Sequence, residues 1–246
     1  MIPLKILFKF PCRGREKMFF ESLDSLNNNI RDRENYLISL TLDTDDEILN
    51  TPEVIERINK YPNVSIEWGL SDSKIHAINR NIPDYPFSVI ICWSQDMFAT
   101  MYGFDDIMRD YILQVGNTCD MDCLIHIPEP DSREFLNVLY IATKKYFDRF
   151  GYIYHPSYLS LWSDNETMCV AKMLNRYFYI GTMGLYVHKN PAYTHHNIER
   201  DSLFDFQQGL WQTDEDNFHK RRKINFELPE SEISNKHYLI ETFPFT

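Results

Sequence analysis

Charged and polar residues recur at one kind of place in this chain, the point where an apolar run gives way to a turn. Leu4 to Phe10 is followed by Arg13 and Arg15, and Tyr36 to Asp43 runs into Asp45 and Asp46. Asn63 to Gly69 is followed by Ser71 and Lys74, and Ser88 to Trp93 leads directly into Ser94, Gln95 and Asp96. Guanidinium and ammonium groups hold anions, while carboxylates accept N–H donors, take up protons or ligate hard cations. Any one of these residues alone reads as an ordinary loop residue. Their repetition at successive strand exits predicts a composite site for a charged ligand.

Such a site needs elements that bring the exits together. Leu4 to Phe10 predicts a short apolar strand, and the turn PCRGR follows it. In EKMFFESLDSLNNN, Met18, Phe19, Leu23 and Leu26 stand at helical spacing, and the asparagines end the helix. YLISLTLD is a second β-run. TPEVIERINKYP opens with Thr51 as N-cap and Pro52 at the first helical position, both helix-start signals. NVSIEWG is a third strand, SDSKIHAINRNIP a short helix from a Ser or Asp cap, and FSVIICWSQDM a fourth strand. That last run is continuously apolar, as a strand covered on both faces should be. The alternation predicts an α/β fold with a mostly parallel sheet flanked by helices. Ligands of such sheets bind beyond the carboxyl ends of the strands, where the charged residues lie.

The second half is less regular. DCLIHIPEP suggests a strand, SREFLNVLYIATKKYFDRFG predicts an amphipathic helix that stops at Gly151, and YLSLWSDNETMCVAKMLNR reads as a loop entering a helix. The tail after Asn190 is polar, with His188, His195 and His196 around its start. No Ser/Gly-rich linker or internal repeat divides the chain, so residues 1–246 read as one domain.

Composition narrows the function. A net charge of -11 argues against a protein whose main task is to coat a nucleic-acid backbone. Lys220 to Lys223 is the one dense basic cluster, and it reads as a solvated helix end. The 43% apolar and 25% charged content is that of a soluble globular protein. Five irregularly spaced cysteines fit a reducing compartment better than a disulfide framework, and Cys119 and Cys123 lack a second ligand pair at zinc-finger spacing. With no transmembrane-length apolar run and no secretion-like leader, the expected location is cytoplasmic.

The stretches LFKFPCRGR, LTLDTDDE, SDSKIHAIN, VIICWSQDM, LWSDNE and VHKNPAY…RDSLF…RRKINF follow one another across nearly the whole length. In their order and spacing the chain resembles the GT-A-fold glycosyltransferases, specifically the family 2-like group. The resemblance implies a Rossmann-like GT-A sheet, with residues 1–100 as the nucleotide-sugar donor half and 101–246 as a less regular acceptor-side half and tail. It implies transfer of a sugar from a nucleotide-sugar donor, most simply UDP-linked. Pro11, Arg13, Arg15, Asp43, Asp45, Lys74, Gln95 and Asp96 would line the donor site. Asp96 and His188 would ligate Mn²⁺ or Mg²⁺, with His195 and His196 as rivals to His188. The SDNE segment would supply the catalytic base, Asp164 first and Glu166 second. Gln95 departs from the family pattern, because it stands where a second acid is common.

The acceptor stays open among a glycan, a lipid-linked sugar, a protein side chain and a modified nucleobase. Two other classes compete. A nucleotidyltransferase would carry a Gly-rich phosphate loop near the N-terminus, whereas PCRGR has one glycine. A non-catalytic GT-A-like binding module would explain Gln95, but not the retention of Asp96, Asp164, Glu166 and His188.

Overall fold

Every side chain of Ile6 to Phe10 is buried, because the strand they form is covered on both faces. This strand, β1 (Ile6–Cys12), is central in a computed structural model that describes residues 4–182 and 184–235. Next come α1 (Glu16–Asn29), β2 (Tyr36–Asp43), α2 (Pro52–Ile58), β3 (Val64–Gly69), α3 (Lys74–Asn79) and β4 (Val89–Cys92). Thr51 accepts from the Val54 N–H and Ser73 from the His76 N–H, so α2 and α3 begin at side-chain caps. The chain continues through β5 (Met97–Ala99), α4 (Phe104–Gly116), β6 (Leu124–His126), β7 (Ile141–Thr143), α5 (Lys144–Phe150) and α6 (Ser163–Met173). Then come β8 (Tyr177–Tyr179), β9 (Tyr186–His188), α7 (Ser202–Gly209) and α8 (Trp211–Lys223).

Among the described residues the main sheet has seven strands in the order β3-β2-β1-β4-β7-β6-β8. β3, β2, β1 and β4 are parallel, β7 runs antiparallel to both its neighbours, and β8 is parallel to β6. Alternation along β1 divides the interior. Ile6, Phe8 and Phe10 join α1, α2 and α4 in one core, while Leu7 joins α3, α5, α6 and α8 in the other. Lys9 also points to the second side, fully buried, and its ammonium donates to the carbonyls of Arg80 (2.6 Å) and Asn81 (3.1 Å). Burial, with the charge of Arg80 second, brings this ammonium down to about 8.

The chain winds outward from β1 to β3 and then returns to β4 on the other side of β1. The region beyond the carboxyl ends of β1 and β4 is therefore a topological switch point, the place at which sheets of this kind receive ligands. A separate antiparallel ribbon, β5 with β9, lies beside it, with Met97 opposite His188.

Two readings of the sequence are corrected. The fourth strand stops at Cys92, so Trp93 to Asp96 form a turn outside the sheet. The helix expected over Ser132 to Phe150 exists only as α5, ending on Gly151 in the left-handed region at φ 71°. Ahead of it, Ile141 to Thr143 form β7, because β4 and β6 need a strand between them and a buried apolar run supplies one. The polar tail contains α7 and α8. Asp214 of α8 accepts from the N–H groups of Leu159, Ser160 and Leu161 and so docks that helix on the body. Among the described residues no helix is long and apolar enough to cross a membrane.

Candidate active site

The turn after β4 is clamped from behind. Trp93 is fully buried, and its indole N–H donates to Ser22 Oγ (3.1 Å) on α1. Ser22 Oγ in turn donates to the carbonyl of Met97 (2.6 Å). Gln95 reaches across to the turn after β1: its Nε2 donates to the Gly14 carbonyl (2.9 Å) and its Oε1 accepts from the Arg13 N–H (3.2 Å). An ionised carboxylate could do only the second of these, which gives the amide at this position a physical reason.

Asp96 follows, facing inward. It accepts from Ser94 Oγ, and its Oδ2 lies 3.3 Å from His188 Nε2. The Lys189 N–H donates to the Asp96 carbonyl (2.7 Å), so the β5–β9 ribbon fixes the pair through the backbone. Burial alone would raise the Asp96 pKa, but His188, Lys74 and Ser94 together hold it well below the usual carboxylate range. Burial alone would lower His188, and Asp96 reverses this, leaving the imidazole raised. His188 Nδ1 is buried with no hydrogen-bond partner among the described residues.

Asp164 sits in the first turn of α6, with Oδ1 accepting from the Asn165 N–H (2.9 Å). It is half-buried and does not cap the helix, since the N-cap position is Trp162. Burial raises its pKa, against smaller opposing effects that include Lys74 and His188. The ammonium of Lys74, exposed at the first position of α3, acts on Asp96, Asp164 and His188 alike. These four residues share one electrostatic environment.

Glu166 stands apart. Two positions along a helix is about 200° around its axis, so Asp164 and Glu166 do not face the same way. Arg221 donates to both Glu166 oxygens (2.7 and 2.9 Å), and Tyr158 Oη donates to one of them (2.7 Å). The carboxylate is buried and saturated beside a cavity of about 20 Å³ that Tyr140, Tyr146 and Tyr152 also line. It joins α6 to α8, and Arg221 is correspondingly not the solvated end residue that its basic cluster suggested.

The exits of β1 and β2 form a second group. Arg13 donates to Asp43 Oδ2 (2.7 Å) and pairs with both oxygens of Asp45 (2.9 and 3.1 Å). Asp43 Oδ1 accepts from Ser71 Oγ (2.6 Å) and Arg80 Nη2 (2.9 Å), so both its oxygens are taken. Nothing in the sequence pattern singled out Arg80, which follows α3 and reaches Asp43 only through the sheet. Asp45 is held below its ordinary value by the Arg13 hydrogen bond, partly offset by desolvation. Asp46 serves the turn itself, accepting from the Gly14 N–H (2.7 Å), where Gly14 has φ +57°. Pro11 lies half-buried in β1, opposite Thr41. Arg15 is drawn away, forming a two-pronged pair with Asp201, the residue that caps α7.

Asp96 Oδ2 and His188 Nε2 are spaced much as two adjacent ligands on a small divalent cation, about 3 Å apart when each bond is about 2.1 Å. A cation completed by substrate oxygens and water fits this donor set. His195 and His196 do not join it; they meet Asp131, at 2.9 and 2.8 Å.

No family model and no curated protein sequence matches this chain. Solved structures do match its backbone. S. aureus TarS 1-349 in complex with UDP-GlcNAc superposes with a TM-score of 0.59 at 14% identity, over 82% of this chain and 63% of that one. The same TarS fragment with UDP gives 0.57 at 14% identity, over 75% and 60%. The mannosyltransferase PcManGT from Pyrobaculum calidifontis, in complex with GDP-Man and Mn²⁺, gives 0.56 at 12% identity, over 75% and 56%.

The fold is GT-A.

In this GT-A sheet, β1, β2 and β4 deliver Arg13, Asp43 and the turn to Asp96, while α6 and β9 from the second half deliver Asp164 and His188. The chain spans less than two thirds of each of these three matched structures, 56% to 63% of their length.

Proposed function

We propose that this GT-A chain is a glycosyltransferase that takes a nucleotide-sugar donor at the switch point beyond β1 and β4. The observation that carries the reading is the convergence of Asp96, His188, Lys74 and a half-buried Asp164 of raised pKa on one electrostatic environment. The TarS structures hold UDP or UDP-GlcNAc and the mannosyltransferase holds GDP-Man with Mn²⁺, which supports the same class of donor here.

Asp164 acts as the base. The acceptor hydroxyl oxygen bonds to the anomeric carbon, the bond from that carbon to the diphosphate oxygen breaks with its electron pair, and the hydroxyl proton passes to Asp164. A carboxylate of raised pKa accepts that proton more readily than an ordinary one. Lys74 offsets negative charge as the diphosphate departs. Mn²⁺ or Mg²⁺ held by Asp96 and His188 would supply further neutralisation of that leaving group.

Nucleoside recognition falls to the exits of β1 and β2. Asp43 accepts a base N–H there once Arg13 swings aside, and Arg80 and Ser71 keep its other oxygen in place. Arg13 has the freedom to move, its side chain being 45% exposed. Gln95 acts as the latch between the two turns rather than as a ligand.

The test is incubation with UDP-, GDP- and ADP-linked sugars, with and without Mn²⁺, read as release of the nucleoside diphosphate. Turnover of one donor class, lost in Asp164→Asn, is the expected result. A folded protein that neither binds nor turns over any donor would end the reading.

A further inference from the structure

We infer that Asp131, His195 and His196 form a second divalent-metal site, of the zinc class, which clamps the segment after β9 to the loop between β6 and β7. Asp131 Oδ1 lies 2.9 Å from His195 Nε2, and Asp131 Oδ2 lies 2.8 Å from His196 Nε2. The donor atoms of the three residues all fall within 4.8 Å of one another, and neither Asp96 nor His188 belongs to the group.

The geometry around it is that of a held site. Asp131 and His196 keep only 10% and 14% side-chain exposure, whereas His195 at 62% closes the solvent side. The Asp131 backbone is fixed from within, because the fully buried Glu129 accepts from the N–H groups of Asp131 (3.1 Å) and Ser132 (2.5 Å). The two imidazoles, 4.2 Å apart between ring centres, rest against Tyr193. By contrast, the backbone hydrogen bonds of Tyr193 and His196 stay within the segment, reaching Asn190 and Tyr193. The side chains on Asp131 therefore tie this turn to the loop between β6 and β7, midway between the Lys189–Asp96 backbone bond and the Arg15–Asp201 pair.

Donor chemistry selects the ion. Two imidazoles and one carboxylate suit zinc and its neighbours, whereas Mg²⁺ prefers an all-oxygen shell. Ligands of a tetrahedral zinc ion lie about 3.3 Å apart, so entry opens the present contacts by about half an ångström. An exposed His195 on a short turn permits that. Three protein ligands leave a fourth position for water.

The test uses the full chain, stripped with EDTA and titrated with Co²⁺, whose visible absorption reports a four-coordinate site. The wild type is expected to show the band and to lose it when Zn²⁺ is added. His195→Ala and His196→Ala should abolish the band, weakening Zn²⁺ by more than about 100-fold in calorimetry. Asp96→Asn should leave it intact, which separates this site from the one proposed for the donor. Should a variant fail to fold, the wild type alone decides, since bound Zn²⁺ must shield His195 and His196 from diethyl pyrocarbonate. Absence of the band, its survival in both histidine variants, its loss in Asp96→Asn, or unshielded histidines would each overturn the inference.

Discussion

Asp96 and His188 come from opposite halves of the chain and meet with 3.3 Å between Oδ2 and Nε2. The cause is backbone pairing: β5 and β9 set Met97 opposite His188, and Lys189 donates to the Asp96 carbonyl. The two side chains then shift each other's protonation, the acid downward and the imidazole upward.

That pairing has a pH signature. A depressed Asp96 contributes stability that is present above its unfolded value of about 3.8 and lost as pH falls through the lower folded value. A raised His188 contributes stability that is complete below about 6.5 and lost as pH rises through the higher folded value. The stability lost in His188→Gln should therefore be greatest between about pH 4 and 6.5 and should shrink toward pH 9. Urea unfolding in EDTA across that range measures it, and a pH-independent difference would contradict the pairing.

Asp164→Asn should lower kcat by about 10²- to 10⁴-fold with little change in donor KM or in melting temperature. Because burial raises the Asp164 pKa, the acid limb of the wild-type kcat profile should lie above the ordinary carboxylate range. An acid limb near pH 4 that persists in Asp164→Asn would assign the base elsewhere.

Glu166 and Arg221 predict a stability effect instead. Arg221→Met leaves a buried carboxylate unpaired and should cost about 3–5 kcal/mol, whereas the double variant with Glu166→Gln should recover part of it. At a temperature where it remains folded, Glu166→Gln should keep kcat within severalfold of wild type.

Gln95→Glu tests whether this position misses an acid or needs an amide. The carboxylate cannot donate to the Gly14 carbonyl, so the substitution should destabilise by about 1–3 kcal/mol without tightening Mn²⁺. Calorimetry with Mn²⁺ and denaturant unfolding read the two effects. Tighter metal binding at unchanged stability would favour the acid.

The first half of the fold was legible because its signals are local. β1, β2 and β4 are mainly apolar runs, β3 alternates apolar and polar residues, Thr51 and Ser73 cap their helices, and the charged exits follow the strands. The residues from Ser132 to Gly151 were not legible in this way. Val138 to Ala142 is a short apolar run that suits either a helix or a strand, and only the gap between β4 and β6 selects the strand. The same limit applies to Arg80, Arg221 and Asp131, whose partners lie far along the chain.

By itself, then, the sequence determined which segments of the first half extend or coil and which residue types arrive at their strand ends, since periodicity and capping act over a few residues. Tertiary structure alone decided which charges are already paired, Glu166 with Arg221 and Arg15 with Asp201, and which share an environment, as with Asp96, His188, Lys74 and Asp164. The reason is that a carboxylate's role depends on its burial and its neighbours' charges, and both are set by pairings between distant strands and helices.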